Sequence, residues 1–158
     1  MDFAGSIPAS YDRYLGPLLF RPYAADLAAR LAAEPCTRAL ELAAGTGIVT
    51  AEAARALPTT RIVATDISPA MLDVAAGRQD TSGVEFRVAD AQDLPFDDGS
   101  FDAVFCQFGV MFLPDRARAY GEMRRVLRPG GRLLFSVWDS IEHSPIPATV
   151  EAALGRVS

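Results

Sequence analysis

The stretch ALELAAGTGIVTAEAARAL, residues 39–57, decides the fold. A short apolar run reaches an acid at Glu41, turns through Gly45 and Gly47, and passes into an alanine-rich segment of helical character. Strand, glycine turn and helix in that order form the opening unit of a parallel sheet. The two glycines let the chain turn sharply and let a ligand approach the backbone where no Cβ stands in the way. Taken alone they are a weak signal, since tight turns follow strands in many folds.

The rest of the chain repeats the same rhythm. Short β-rich runs at 37–42, 61–66, 83–89, 101–107 and 132–138 alternate with helical stretches at 23–33, 47–57, 69–77 and 115–127. Ser68 before Pro69 offers a capping hydroxyl and then a residue suited to the first helical position. Tyr120, Met123 and Leu127 share one helical stripe, and RPGG at 128–131 closes that helix before the last strand. In GVEFRVAD, residues 83–90, apolar and charged residues alternate, as on an edge strand, whereas DAVFCQF, residues 102–108, is nearly continuous, as in a strand covered on both faces. Right-handed crossovers then give an α/β, Rossmann-like doubly wound sheet of order 3-2-1-4-5. Ligands of such sheets bind over the carboxyl ends of the strands, beside the switch between strands 1 and 4.

Acids gather at that rim. Asp66 ends the second strand and can accept hydrogen bonds from ribose hydroxyls; Asp90 ends the third and can accept from an exocyclic amine such as that of adenine. With Glu41, three successive strands end in an acid, which points to a nucleoside. A dinucleotide would bring a pyrophosphate to the turn, yet Thr50 stands where a third glycine is usual and a carboxylate at 41 would repel the anion. S-adenosylmethionine carries an ammonium and a sulfonium and no phosphate, so an acidic end of strand 1 suits it.

Composition narrows the alternatives. The 158 residues, half of them apolar, suffice for one domain with one sizeable core. No run of about 18 apolar residues suits a bilayer span, and the amino terminus lacks the layout of a signal peptide, so a cytoplasmic protein is expected. Cys36 and Cys106 read as buried free thiols, and with one histidine, His143, they make no metal set. All fifteen basic residues are arginine, a compositional bias, and the net charge of -5 argues against a nucleic-acid binder. Arg124 and Arg125 read as the wet face of a helix.

Four motifs, ALELAAGTG, VATDISPAMLDVA, VADAQDLPFDDGSFDAVFCQFGVMFLPD and EMRRVLRPGGRLLFSVW, occur in order between residues 37 and 138. Together they resemble the class I S-adenosylmethionine-dependent methyltransferases, and among these the group related to the ubiquinone and menaquinone biosynthesis C-methyltransferases. The resemblance implies cofactor contacts from Glu41, Ala43, Gly45 and Gly47 at the methionine end. It implies others from Asp66 and Ile67 at the ribose and adenine, from Asp90 and Ala91 at the adenine edge, from Gln107 between cofactor and acceptor, and from Thr46 and Met71. It divides the chain into a helical cap segment, 1–36, and a cofactor-binding core, 37–158. Members of this fold usually continue past strand 5 to the order 3-2-1-4-5-7-6. Strands 6 and 7 are not legible here, so the expectation is a fragment, or a homodimer paired through 132–138.

Methyl transfer from a sulfonium is an in-line displacement onto a small-molecule acceptor, in which alignment does much of the catalysis. A base is needed only if the acceptor must lose a proton. His143 can be that base, or a solvated histidine in the irregular segment that Pro145 and Pro147 mark. Tyr11 and Tyr14 can set aromatic faces near the sulfonium, or pack as an ordinary pair. Phe108, Met111 and Phe112 can line an apolar acceptor pocket or belong to the core. Two other functions remain open at this point: a noncatalytic nucleoside-binding module and an NAD-dependent oxidoreductase.

Overall fold

The computed structural model describes residues 20–140. Within them the chain runs α1 (Arg21–Ala32), β1 (Arg38–Glu41), α2 (Ile48–Ala56), β2 (Arg61–Asp66), α3 (Pro69–Ala76), β3 (Glu85–Val88), β4 (Phe101–Gln107), α4 (Arg116–Val126) and β5 (Leu127–Ser136). The five strands form one sheet in the order β3-β2-β1-β4-β5, and every pairing is parallel. This is the α/β doubly wound order expected from the sequence. The reversal between β1 and β4 opens a crevice at their carboxyl ends.

The alternation of side chains divides the core into two layers. On one face Ala39, Ile62, Ala103 and Phe105 meet Leu27 and Leu31 of α1 and Val49 and Ala53 of α2. On the other face Leu40, Val63, Val104 and Cys106 meet Ala119, Met123 and Val126 of α4. Phe105, Leu40 and Met123 are fully buried, each contributing on the order of 1.5–3 kcal/mol over an exposed position. Thus α1 is a layer of the fold, and it packs against the same core as the segment that follows residue 36. β4 is buried from Phe101 to Cys106, whereas three of the four residues of β3 are exposed, as their sequence patterns require of a central and an edge strand.

Caps place the helices. The Ser68 hydroxyl accepts from the Met71 N–H at 3.4 Å with proline at the head of α3, and the Asp115 carboxylate accepts from the Arg118 N–H at 3.0 Å to start α4.

The last strand departs from expectation. Leu127 already pairs with Phe101, and the next partners are Arg132 and Ala103, so RPGG is not a turn before the strand but a bulge within it. Gly130, at φ +78°, supplies the left-handed residue that the excursion needs. The strand therefore begins five residues earlier than the apolar run suggests, and it ends at Ser136.

The opposite end of the sheet is fastened by Asp102. Its Oδ2 accepts from the Thr37 N–H and hydroxyl, both at 2.6 Å, and from the Arg38 N–H at 2.9 Å, while Oδ1 meets Arg128 Nε at 2.9 Å. The Thr37 hydroxyl above all, with these other donors, holds the Asp102 carboxyl below the usual carboxylate range. Cys106 is 1% exposed and Cys36 half-buried, and both are free thiols. No helix among the described residues is long and apolar enough to cross a membrane.

Candidate nucleoside-cofactor site

The turn after β1 is built from left-handed residues. Ala43 (φ +52°), Gly45 (φ +56°) and Gly47 (φ +81°) reverse the chain between β1 and α2. The two glycines serve different ends. A Cβ on Gly47 would stand 2.9 Å from that of Ala75, so this glycine lets α2 close onto α3; one on Gly45 would meet nothing within 4 Å, so the bare backbone there faces a cradle. Ala43, a strained position for any residue with a Cβ, is accommodated by Gly109, where an added Cβ would lie 2.5 Å from the Ala43 methyl.

Both glycine N–H groups of this turn are already engaged. Gly45 N–H donates to Asp66 Oδ2 at 2.8 Å, and Gly47 N–H donates to the Ala44 carbonyl at 3.0 Å. A phosphate-binding turn presents such groups to its anion. Here an acid holds one of them. Asp66 Oδ1 also accepts from Ser68 N–H at 2.9 Å, so the carboxylate is fixed from both sides at the end of β2, while Ile67 beside it is 69% exposed. Asp90 is fixed likewise: its Oδ1 accepts from the Gln92 N–H at 2.8 Å and from the Gln92 amide at 3.1 Å.

Glu41 sits differently from the sequence reading. It is 1% exposed, below the turn, and accepts from the Thr50 hydroxyl through Oε2 at 2.6 Å. Burial pushes its carboxyl up to about 8; the Thr50 bond opposes the shift, and the charge of Asp66 adds to it. The group is therefore largely neutral at pH 7 in this state. Thr50, read from the sequence only as a missing glycine, is the residue that fixes Glu41. Its signal was a hydroxyl in the first turn of a helix whose neighbours are apolar.

The other expected contacts divide. Gln107 ends β4 at the switch point, its Nε2 donating to the Phe20 carbonyl at 3.1 Å. Ala91 is half-buried behind Asp90, and Thr46 is buried in the turn. Met71 is 5% exposed and faces the core from α3. Phe108, at φ +55°, is buried and stacks on Trp138 at 3.9 Å with the rings 5° apart; Phe112 is exposed. Tyr11, Tyr14 and His143 lie outside the described residues.

Arg125 is not part of a wet helical face. Its guanidinium donates to Glu122, to Asp98 Oδ1 at 2.8 Å, and to the carbonyls of Phe96 and Leu94 at 2.7 and 2.9 Å. It pins the 94–98 loop that follows the Asp90 turn. Arg124 alone is exposed, as the sequence reading had it.

A five-stranded parallel sheet of this order, with acids at the ends of β1 and β2 and another two residues past β3, and a turn whose glycine N–H groups are engaged, defines a Rossmann-like domain of the methyltransferase kind. A methyltransferase-domain profile matches residues 40–135, and the chain belongs to that family. It is 36% identical over 149 residues to the ubiquinone/menaquinone biosynthesis C-methyltransferase UbiE of Bordetella avium, covering 90% of this chain and 58% of that protein. A solved structure from Methanococcus maripaludis superposes with TM-score 0.77 at 19% identity over all of this chain and 74% of that one, a likeness of fold. The trans-methyltransferase CalH, solved with S-adenosylhomocysteine (SAH), superposes at TM-score 0.58 with 29% identity over 73% of this chain and 35% of that one. The chain spans about half the length of the curated relatives it matches.

Proposed function

We propose that this chain is the cofactor-binding core of a cytoplasmic S-adenosylmethionine-dependent methyltransferase whose acceptor is a small quinol-type ring. The observation that carries the cofactor is the Gly45–Asp66 contact: the turn has spent its donor on a carboxylate, which favours a ligand with hydroxyls and positive charge over a diphosphate. The names of the relatives support the acceptor class.

The residues present suit the cofactor. Asp66 would take the ribose hydroxyls, Asp90 with Ala91 the adenine edge, Ile67 a face of the base, and the bare Gly45 backbone, open on its Cβ side, the methionine portion. S-adenosylmethionine supplies an electrophilic methyl on a sulfonium. What the chain would add is orientation of acceptor and cofactor at the ends of β1 and β4, where Ala43 and Phe108 take left-handed backbone conformations. Deprotonating Glu41 as a cation arrives would strengthen its hold on that cation. His143 keeps the role of candidate base, and Tyr11 and Tyr14 that of candidate aromatic cover.

Titration calorimetry with S-adenosylmethionine and with NADH tests the cofactor. Saturable binding of the first and none of the second is expected; the reverse would overturn the proposal. Turnover on a demethylated quinol, followed by methyl incorporation, tests the acceptor.

A further inference from the structure

Two polar atoms at the acceptor side of the crevice are buried without a partner: Gln107 Oε1 and Ser136 Oγ. They are neighbours by construction. Gln107 and Ser136 face each other in the parallel register of β4 and β5, so both side chains leave the same face of the sheet, and Phe108 N–H donates to the Ser136 carbonyl at 2.9 Å just beyond. That face is the one α1 covers, since Gln107 Nε2 is held by the Phe20 carbonyl. A carbonyl can only accept, so this contact fixes the amide with its oxygen as the unpaired end. The surroundings are aromatic. Phe108 follows Gln107 and Trp138 lies two residues past Ser136; their rings stack, and Tyr23 meets both edge-on at 5.3 and 5.6 Å. Ser136 and Tyr23 also line a groove of about 430 Å³ between α1 and β5.

We propose that Gln107 Oε1 and Ser136 Oγ together receive one hydroxyl of an aromatic methyl acceptor. The hydroxyl donates its proton to the amide oxygen and accepts from the serine, which satisfies both atoms at once. The acceptor ring takes a place against Phe108 that the exposed ring of Trp138 now fills. Specificity follows from the amide: an ether oxygen can accept from Ser136 but has nothing to give to Gln107, which then stays unpaired. The assignment rests on the methyltransferase reading for its ring acceptor, and its test does not require turnover.

The test titrates the protein, with and without SAH, with naphthol and with its methyl ether. Naphthol is expected to bind about tenfold more tightly than the ether, a gap of about 1.4 kcal/mol. Ser136→Ala should weaken naphthol several-fold while leaving SAH affinity unchanged, and Gln107→Met should erase the preference for naphthol over the ether. Equal binding of the two probes by the wild-type protein, binding of neither, or an unchanged naphthol affinity in Ser136→Ala would overturn the assignment. A change confined to the melting temperature would mean that the pair holds only a structural water, and would overturn it too. Failure of the cofactor reading looks different: SAH then gives no heat, whatever naphthol does.

Discussion

Asp66, at the end of the second strand, accepts the Gly45 N–H at 2.8 Å across 21 residues of sequence. One carboxylate therefore shapes the glycine turn, and in the proposed function the same group takes the ribose hydroxyls. Asp66→Ala should weaken S-adenosylmethionine by a hundredfold or more, because it removes the ribose partner and frees the turn. Asp66→Asn keeps one side-chain oxygen for Gly45 and should lose less. Calorimetry on both variants checks the order, and equal losses would show that the turn does not depend on this contact.

Glu41 sets a pH dependence. Its folded value of about 8 lies above that of an unfolded glutamate, so its stabilising effect is fully present below about pH 4.5 and is lost as pH rises toward 8. Glu41→Gln does not titrate there. The melting temperature of the variant relative to the wild type should therefore climb between pH 5 and about 8 and level off above. A flat difference would mean that the carboxyl is ionised throughout.

Asp102 contributes in the opposite sense. Its depressed value gives stability that is present above the ordinary carboxylate range and is lost as pH falls through the folded value. Asp102→Asn should cost about 1–3 kcal/mol near neutrality, through lost charge-assisted bonds to Thr37, Arg38 and Arg128. The deficit should shrink in acid. Denaturant melts at neutral and acidic pH read both effects, and cofactor affinity should stay unchanged because the site lies at the other end of the sheet.

Ala43 holds a left-handed backbone at the cost of strain. Ala43→Gly should stabilise by about 1 kcal/mol, or roughly 2–4 °C in melting temperature. Thermal unfolding of the two proteins decides it, and a lower melting temperature in the variant would mean that the methyl packed against Gly109 matters more than the strain.

Arg125→Ala should release the 94–98 loop. Because that loop leads out of the Asp90 turn, cofactor affinity should fall several-fold and amide exchange should rise at Leu94 N–H, which donates to Glu122 at 2.8 Å. Unchanged exchange there would show that Glu122 holds the loop without its arginine.

The sheet order was legible because burial writes itself into strand composition: GVEFRVAD alternates and DAVFCQF does not. Boundaries at β5 were not, since Pro129 and Gly130 look the same in a turn and in a bulge, and only the pairing of Leu127 with Phe101 tells them apart. Glu41 and Asp66 were legible as strand ends, whereas Asp90 lies two residues past the end of β3. The fate of Glu41 was not, because sequence gives its place along the strand and not its depth, and depth decides its charge. Arg125 was misread for a similar reason: its partners Phe96 and Leu94 are 29 and 31 residues away and offer backbone carbonyls, which leave no trace in composition.

The two thiols differ in a way that serves the bench. Burial pushes Cys106 up to about 12, and it is sealed behind Gly109, whereas Cys36 is half-buried just ahead of β1, at the end of the sheet remote from the crevice. A maleimide dye should attach at Cys36 alone among the two, so a reporter for ligand titrations can be installed on the unaltered polypeptide without crowding the pocket it watches.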